Sequence, residues 1–275
     1  FIVLFLLLHV GLVMRSLFSV ENKVAVVIGA AGGIGRAIAE LFCGLGGRVV
    51  ASDVDEKGLS ELVDLLSRRG CDVRGFRADI TRVDDVRALV DFSLKSYGRV
   101  DALYILPAIN VRKPIERYTY EEFDRVVNVN LRGSFIALKE FLEAMKKNPE
   151  GGSVVLFSSI RHLVVEPGQS VYAATKAAIV QLARVAAAEY GKYNIRVNII
   201  APGVVNTPFV QQIKRDPEWY RAYAEKTILK RWADPMEIAS VAVFLAMPAS
   251  SYITGSVIYV DGGWTAIDGR YEPKL

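Results

Sequence analysis

The sequence predicts an α/β protein with a parallel, doubly wound sheet that carries helices on both faces. Short runs rich in Val, Ile and Leu alternate along the chain with segments of helical period. These runs are apolar at nearly every position, which is typical of strands buried on both faces. Strands separated by helices pair in parallel through right-handed crossovers, so the sheet winds in both directions from its centre.

Seven runs predict the strands. In chain order they read KVAVVIG, GRVVASD, DVRGFRAD, DALYIL, GSVVLFSS, IRVNIIAP and SVIYVDG. Segments of helical period between them include residues 34–45, 83–97, 121–147 and 236–247, and an alanine-rich helix is predicted for residues 170–191. No repeat, low-complexity tract or linker divides the chain.

Composition narrows the class of protein. The 275 residues are 52% hydrophobic, which is enough for the core of one large domain. The net charge is +4, but Lys and Arg are interspersed with acids, so we expect no nucleic-acid partner. Cys43 and Cys71 lack a CxxC spacing, and with only two histidines in the chain no Cys/His metal site is expected. These features favour reduced thiols and a cytoplasmic location.

The first fourteen residues are apolar except for His9. They are fewer than the roughly 20 that span a bilayer, and they lack the positive start of a signal peptide. Met14 opens an ordinary start for an enzyme, so we expect residues 1–13 to lie outside the fold. We divide the chain into an apolar segment, residues 1–20, and a single catalytic domain, residues 21–275. A membrane anchor completed by an upstream portion is the alternative.

A glycine pattern follows the first strand and opens a helix. Gly29, Gly33 and Gly35 permit a tight turn and let backbone N–H groups approach a pyrophosphate at the helix N-terminus. Asp53 ends the second strand, near the offset at which an acid binds the adenosine ribose. An acid at this position repels a 2′-phosphate, which favours NAD over NADP. Alternatively, the glycines only pack helix on strand.

Tyr172 and Lys176 stand at i and i+4 near the start of the alanine-rich helix. They share a helical face, and an ammonium near a phenol lowers the phenol pKa from its usual value of about 10. Ser159 ends a predicted strand and can hold a substrate oxygen beside the phenol. The pair therefore predicts a proton donor, although an ordinary amphipathic helix has the same spacing.

With these motifs the sequence resembles the short-chain dehydrogenase/reductase family over residues 21–264. The resemblance lies in GAAGGIG, NVN, YAATK, APGVVNT and YITGSVIYVDGG. It implies a three-layer Rossmann-type fold with a seven-stranded parallel sheet, usually in a homotetramer or homodimer. It also implies that Tyr172 is the general acid/base, that Lys176 lowers its pKa and binds the nicotinamide ribose, and that Ser159 orients the substrate oxygen. Asn130 is implied as the fourth catalytic residue, holding a water for proton relay.

The resemblance extends the predicted cofactor site to the adenine and carboxamide ends. The cofactor-binding residues expected in all are Gly29, Gly33, Ile34, Gly35, Asp53, Asp79, Ile80, Tyr172, Lys176, Pro202, Gly203, Val205 and Thr207.

The sequence departs from the family at two positions along the first and fourth strands. Ile28 replaces the usual threonine, and ILPA, residues 105–108, replaces Asn-Asn-Ala-Gly. Losing one buried polar partner costs about 1–3 kcal/mol, whereas replacing both is nearly neutral. We therefore expect one compensated change in which Ile28 packs against Leu106 or Pro107.

The family resemblance implies that variable loops determine which substrate is bound. INVRKPIER resembles a segment of family members that act on sugar acids, and Arg112 within it can pair with a carboxylate. Arg161 and His162 follow Ser159 closely and are further candidates for the pocket. Residues 208–232, rich in aromatic and charged side chains, are expected to form a lid, or else part of the core.

The leading interpretation is an NAD-dependent dehydrogenase of a small-molecule sugar or sugar acid, with no metal. Reduction of a 3-oxoacyl thioester or another ketone is the alternative within the same chemistry. A non-catalytic dinucleotide-binding protein and a membrane-tethered enzyme for lipophilic alcohols are alternatives of other classes.

Overall fold

Seven parallel strands form one sheet in the computed structural model, which describes residues 16–268. The strands are β1 (Val24–Ile28), β2 (Arg48–Asp53), β3 (Val73–Arg77), β4 (Ala102–Ile105), β5 (Gly152–Phe157), β6 (Ile195–Pro202) and β7 (Val257–Val260). Their order across the sheet is β3-β2-β1-β4-β5-β6-β7. The predicted doubly wound, Rossmann-type sheet is confirmed, and its winding reverses between β1 and β4.

Nine α-helices occur in the described part of the chain. They are α1 (Gly33–Gly44), α2 (Glu56–Arg68), α3 (Val83–Tyr97), α4 (Tyr120–Val127), α5 (Ser134–Met145), α6 (Ser170–Tyr190), α7 (Gln211–Lys214), α8 (Pro217–Lys226) and α9 (Pro235–Phe244). A π-helical turn, Asn128–Gly133, joins α4 to α5. The single helix predicted for residues 121–147 is therefore three segments.

Each face of the sheet is covered by its own apolar layer. In β1, Ala25 and Val27 point to a cluster that includes α1, α2 and α9. Val26 and Ile28 point to the opposite cluster, which includes α3, α5 and α6. This alternation along a strand buried on both faces produces three layers. The carboxyl ends of the strands then open at one edge, where such folds bind ligands.

Ile28 lies on the opposite face of the sheet from Leu106, one of the two partners predicted for it. Packing against the other, Pro107, stays a prediction. Ile28 aligns with Ile105 in the β1–β4 register, and both side chains lie on the α5–α6 side. Leu106 is one residue further along, so its side chain packs on the opposite, α1 side. Ile28 also aligns with Ser52 of β2, whose buried hydroxyl has no hydrogen-bond partner.

Two expectations for the chain outside the sheet need correction. Val20, placed before the domain boundary, is fully buried in the core, and Phe18 stacks on Phe244 of α9. Cys43 and Cys71, expected as free thiols, are joined in a disulfide with their Cα atoms 5.7 Å apart. Cys43 lies near the end of α1 and Cys71 follows α2, 28 residues later, so only the fold brings them together and sequence spacing gave no sign of this pairing.

Residues 1–15, which include His9 and Met14, lie outside the described residues. Within residues 16–268, no helix is both long and apolar enough to cross a membrane.

Candidate active site

A cavity of about 690 Å³ lies at the carboxyl ends of the central strands. This volume is within the range of roughly 300–1,000 Å³ that small-molecule sites occupy. All thirteen residues predicted to bind the cofactor line it, together with Ser159, Arg112 and Arg161. Side chains from the glycine loop, the strand ends and the start of α6 are thus brought to one space.

The glycine loop has the shape that a pyrophosphate requires. Gly29 has φ +90°, a conformation that side chains disfavour. A Cβ on Gly35 would lie 2.1 Å from the Gly29 carbonyl oxygen, so only glycine fits. Helix α1 begins after Gly32 without a side-chain cap, which leaves its first amide groups available to an anion. The residues present therefore fit a dinucleotide.

Acidic side chains mark the other end of the predicted cofactor site. The Asp53 carboxylate accepts hydrogen bonds from the amides of Ala31, at 2.9 Å, and Asp55, at 3.0 Å. Asp79 lines the same end and accepts hydrogen bonds from the amide and hydroxyl of Thr81. Asp53 thus shapes the glycine loop while its charge faces the cavity.

Tyr172 and Lys176 lie on one buried face of α6, with the Lys176 Nζ 5.6 Å from the centre of the Tyr172 ring. Burial raises the pKa of the Tyr172 phenol, whereas a hydrogen bond from Ser159 and the charges of Arg161 and Arg112 lower it. Burial lowers the pKa of Lys176 to about 8. The phenol is therefore protonated at neutral pH and stands beside the Ser159 hydroxyl, ready to donate.

The Lys176 Nζ donates to the carbonyl oxygen of Phe157 at 2.7 Å. Arg161 and Arg112, which line the cavity, lower the Tyr172 pKa. The predicted effect of Lys176 on that pKa stays a prediction. Sequence spacing shows that Tyr172 and Lys176 share a face, but it does not show which charges come closest to the phenol.

Asn130 lies in the π-helical turn and does not line the cavity. Its side-chain amide accepts from the Ile109 amide at 2.8 Å and donates to the Ile109 carbonyl at 2.9 Å. It also donates to the Thr175 hydroxyl at 3.1 Å. Asn130 therefore ties the segment after β4 to the catalytic helix, and its predicted water-holding role is not tested by these contacts.

The predicted substrate residues divide into two groups. Arg112 and Arg161 line the cavity, but His162 does not. The His162 ring is held by the Ser159 carbonyl, 2.7 Å from Nδ1, and by the Tyr259 hydroxyl, 3.0 Å from Nε2. The short 3₁₀ turn at residues 160–162 directs this ring toward β7, which corrects the prediction for His162.

Three polar residues at this end escaped the sequence analysis: Glu166, Gln169 and Tyr223. Glu166 contacts Arg161, Arg112, Gln169 and Tyr223, and it lies in the loop after the 3₁₀ turn at residues 160–162. The signal available in the sequence was that Glu166 is a single acidic residue among segments that contain arginine.

Residues 208–232 fold as a 3₁₀ turn followed by α7 and α8. Tyr223 and Trp232 are buried in a third apolar cluster, which also holds Ile160 and Trp264. Phe209 and Tyr223 line the cavity. The segment thus forms one wall of the cavity and contributes its own small core. Its closure as a lid stays a prediction.

The chain is similar to known dehydrogenases and reductases. A family model described as enoyl-(acyl carrier protein) reductase matches residues 29–265. The 3-oxoacyl-(acyl-carrier-protein) reductase of Thermotoga maritima is 37% identical over 244 residues, which cover 88% of this chain and 98% of that protein. Cyclopentanol dehydrogenase of Comamonas is 35% identical over 247 residues, covering 90% and 98%.

A solved structure of a putative NAD(P)-dependent gluconate 5-dehydrogenase from Beutenbergia cavernae, with NADP bound at low occupancy, has a TM-score of 0.86. It is 32% identical, and the match covers 91% of this chain and all of that one.

Proposed function

Because the chain belongs to the short-chain dehydrogenase/reductase family of oxidoreductases, we propose that it is an NAD-dependent dehydrogenase of a sugar or sugar acid. One observation carries this proposal: Ser159, Tyr172 and two arginines share one cavity with a glycine loop suited to a dinucleotide. The nicotinamide, when bound, supplies the hydride acceptor or donor.

The protein's own residues manage the proton. Ser159 holds the substrate oxygen, and the Tyr172 hydroxyl gives a proton to that oxygen or takes one from it. Arg161 and Arg112 favour the phenolate that forms when the proton leaves. Gly33, Val205 and Thr207 shape the wall on the nicotinamide side, and Asn130 fixes the segment that ends at Ile109.

Charge supports NAD as the preferred cofactor. The cavity lining near the ribose and adenine positions carries Asp53 and Asp79, and the residue after Asp53 is Val54, which carries no charge to bind a 2′-phosphate. Lys176 binds the nicotinamide ribose in this proposal, as the family resemblance implies.

The solved structure from Beutenbergia cavernae, whose title names a gluconate 5-dehydrogenase, supports the choice of sugar acids. The two arginines at the substrate end supply the charge that a carboxylate needs.

A second candidate is reduction of a 3-oxoacyl thioester. The Thermotoga maritima relative, with that activity in its name, favours it. The same Ser159 and Tyr172 would polarise and protonate the ketone, so the two candidates differ in substrate and direction rather than in catalytic residues.

The test is an assay of the purified protein with NAD and with NADP against aldoses, aldonates, alditols and simple secondary alcohols, and with a 3-oxoacyl thioester in the reducing direction. We expect NAD-linked oxidation of a polyhydroxy substrate. Turnover with the thioester alone would select the second candidate, and turnover with none of these compounds would contradict the proposal.

We further propose a homotetramer or homodimer, one domain that starts at Val20, and a cytoplasmic location. Helices α4, α5 and α6 carry half-exposed Phe123, Phe135 and Val185, which suit a subunit interface. The cytoplasm keeps cysteines reduced, whereas the structure joins Cys43 to Cys71 in a disulfide. Counting the free thiols of protein taken from cells therefore tests the cytoplasmic location.

A further inference from the structure

Glu166 joins the two arginines of the substrate end. Its Oε2 lies 2.7 Å from Nη2 of Arg161, and its Oε1 lies 3.3 Å from Nη1 of Arg112. The side chains of Arg161, Glu166 and Arg112 are 8%, 20% and 21% exposed. Both arginines line the cavity, whereas Glu166 does not. The carboxylate therefore supports the two guanidinium groups from outside the cavity.

This group carries one surplus positive charge. Within residues 16–268, Glu166 is the only carboxylate paired with either arginine. The Tyr223 hydroxyl also contacts Glu166, and burial and this carboxylate raise the pKa of Tyr223, so the phenol stays neutral. A poorly hydrated cation without a counter-charge is unfavourable, so the group is suited to an incoming anion.

Arg161 has a fixed orientation with donors to spare. Its guanidinium lies 5.3 Å from the ring centre of Trp264 and 5.9 Å from that of Tyr223. Its side-chain polar contacts all use Nη2, so Nε and Nη1 have no partner in the described part of the chain. The Arg161 amide donates to the Ser159 hydroxyl oxygen at 3.2 Å. The free donors therefore belong to the same turn as the residue that orients the reacting oxygen.

We propose that Glu166 sets substrate specificity by holding Arg161 and Arg112 as a pair with one net positive charge, which binds the single carboxylate of a sugar acid. This inference rests on the proposed dehydrogenase function and selects acids over neutral sugars. Arg161 contacts the substrate carboxylate directly, and Glu166 acts by positioning the Arg161 side chain.

The first experiment compares an aldonate with the alditol of the same stereochemistry in the wild type, in Arg161→Met and in Arg87→Met. Arg87→Met is the matched control, because it removes an arginine paired with a glutamate, Glu140, outside the cavity. We expect the wild type to prefer the aldonate. In Arg161→Met, kcat/KM should fall for both substrates, because Arg161 also favours the Tyr172 phenolate. The ratio of kcat/KM for the aldonate to that for the alditol should fall by roughly 10- to 100-fold, the loss of a charged hydrogen-bonded contact.

The second experiment uses Glu166→Gln, which raises the surplus from one charge to two. The ratio of kcat/KM for a dicarboxylate aldarate to that for the aldonate should rise several-fold. NADH binding and the melting temperature, measured for every variant, verify that each has folded.

The outcomes separate the two proposals. No turnover by the wild type with any alcohol contradicts the dehydrogenase function. Turnover with equal use of aldonate and alditol, or equal losses for both in Arg161→Met, overturns the carboxylate site alone. An unchanged aldarate ratio in folded Glu166→Gln overturns the role of Glu166.

Discussion

Tyr172 is buried to 8% exposure, and its phenol depends on its neighbours to release a proton. Tyr172→Phe removes the hydroxyl and keeps the ring that lies 6.2 Å from that of Phe209. We expect turnover to fall by roughly 10²- to 10⁴-fold, the usual contribution of a general acid. NADH affinity, measured by fluorescence titration, should stay within a few-fold of the wild type. A variant with undiminished turnover would refute the acid/base assignment.

Lys176 is a buried cation, and its burial destabilises the folded protein at neutral pH. Its pKa of about 8 lies below the ordinary value of 10.5. The unfolded chain therefore binds this proton more tightly, and the destabilisation is fully present below pH 8 and disappears as the pH rises to 10.5.

Lys176→Met removes this effect. We expect the unfolding free energy of the variant, relative to the wild type, to decrease by about 3 kcal/mol between pH 7 and pH 10.5. Urea denaturation at a series of pH values measures this difference. A difference that stays constant with pH would mean that Lys176 is not charged and buried as described.

Asp53 governs the choice of cofactor in our proposal. Asp53→Asn keeps the side-chain shape and one acceptor oxygen for the loop amides, but it removes the charge that repels a 2′-phosphate. We expect the ratio of kcat/KM for NADP to that for NAD to rise about 10-fold or more, which corresponds to roughly 1.4 kcal/mol. Asp64→Asn on the exposed side of α2 removes the same charge away from the cavity and should leave the ratio unchanged.

Among the elements, β2 contains a buried hydroxyl group, that of Ser52, without a hydrogen-bond partner among the described residues. Ser52 and Ser153 are both buried strand serines, but only Ser153 has a partner, the Leu245 carbonyl at 2.7 Å. Ser52→Ala should therefore leave stability unchanged or raise it by up to about 1 kcal/mol, whereas Ser153→Ala should lower it by about 1 kcal/mol. Chemical denaturation of the two variants checks this contrast. Equal losses would show that the Ser52 hydroxyl is satisfied.

The strands and the glycine loop were predictable because they depend on local patterns. A run such as VAVVI is buried on both faces wherever a parallel sheet forms. Gly29 and Gly35 are required because a side chain at either position would be strained or would clash with the nearby backbone. The π-helical turn was not predictable, because its sequence continues the helical period of α4 and α5. Asn130 contacts Ile109, 21 residues earlier, and only the fold reveals that contact.

The same limit explains the substrate end. Arg112 and Arg161 could be proposed from neighbouring motifs, but their shared carboxylate could not. Glu166 lies 54 residues from Arg112 and 57 from Tyr223, so the cluster forms only when the segments around Arg112 and Glu166 meet α8. His162 was misplaced because a sequence position beside Ser159 does not reveal which way a short turn directs its ring.

At the scale of the whole molecule, the disulfide closes the loop between α1 and the start of β3. A cross-link over 28 residues restricts the unfolded chain and stabilises the protein by about 3–4 kcal/mol in the chain-entropy model. We expect the double variant Cys43→Ser, Cys71→Ser to lose stability by this amount in urea denaturation. A reductant should destabilise the wild type similarly and leave the double variant unaffected. Equal stability of all forms would contradict a stabilising cross-link.

The reversal of winding at β1 also has a consequence for assembly of the chain. Strands that follow one another in the chain pair with each other, except that β3 does not pair with β4, and only the pairing of β1 with β4 joins the two halves of the sheet. The cavity draws Gly29, Asp53 and Asp79 from the first half and Ser159, Tyr172 and the arginines from the second. A polypeptide cut near residue 82 should therefore yield two fragments that are each inactive and that regain dehydrogenase turnover on mixing. The dinucleotide should favour their association, because its binding site includes residues of both fragments.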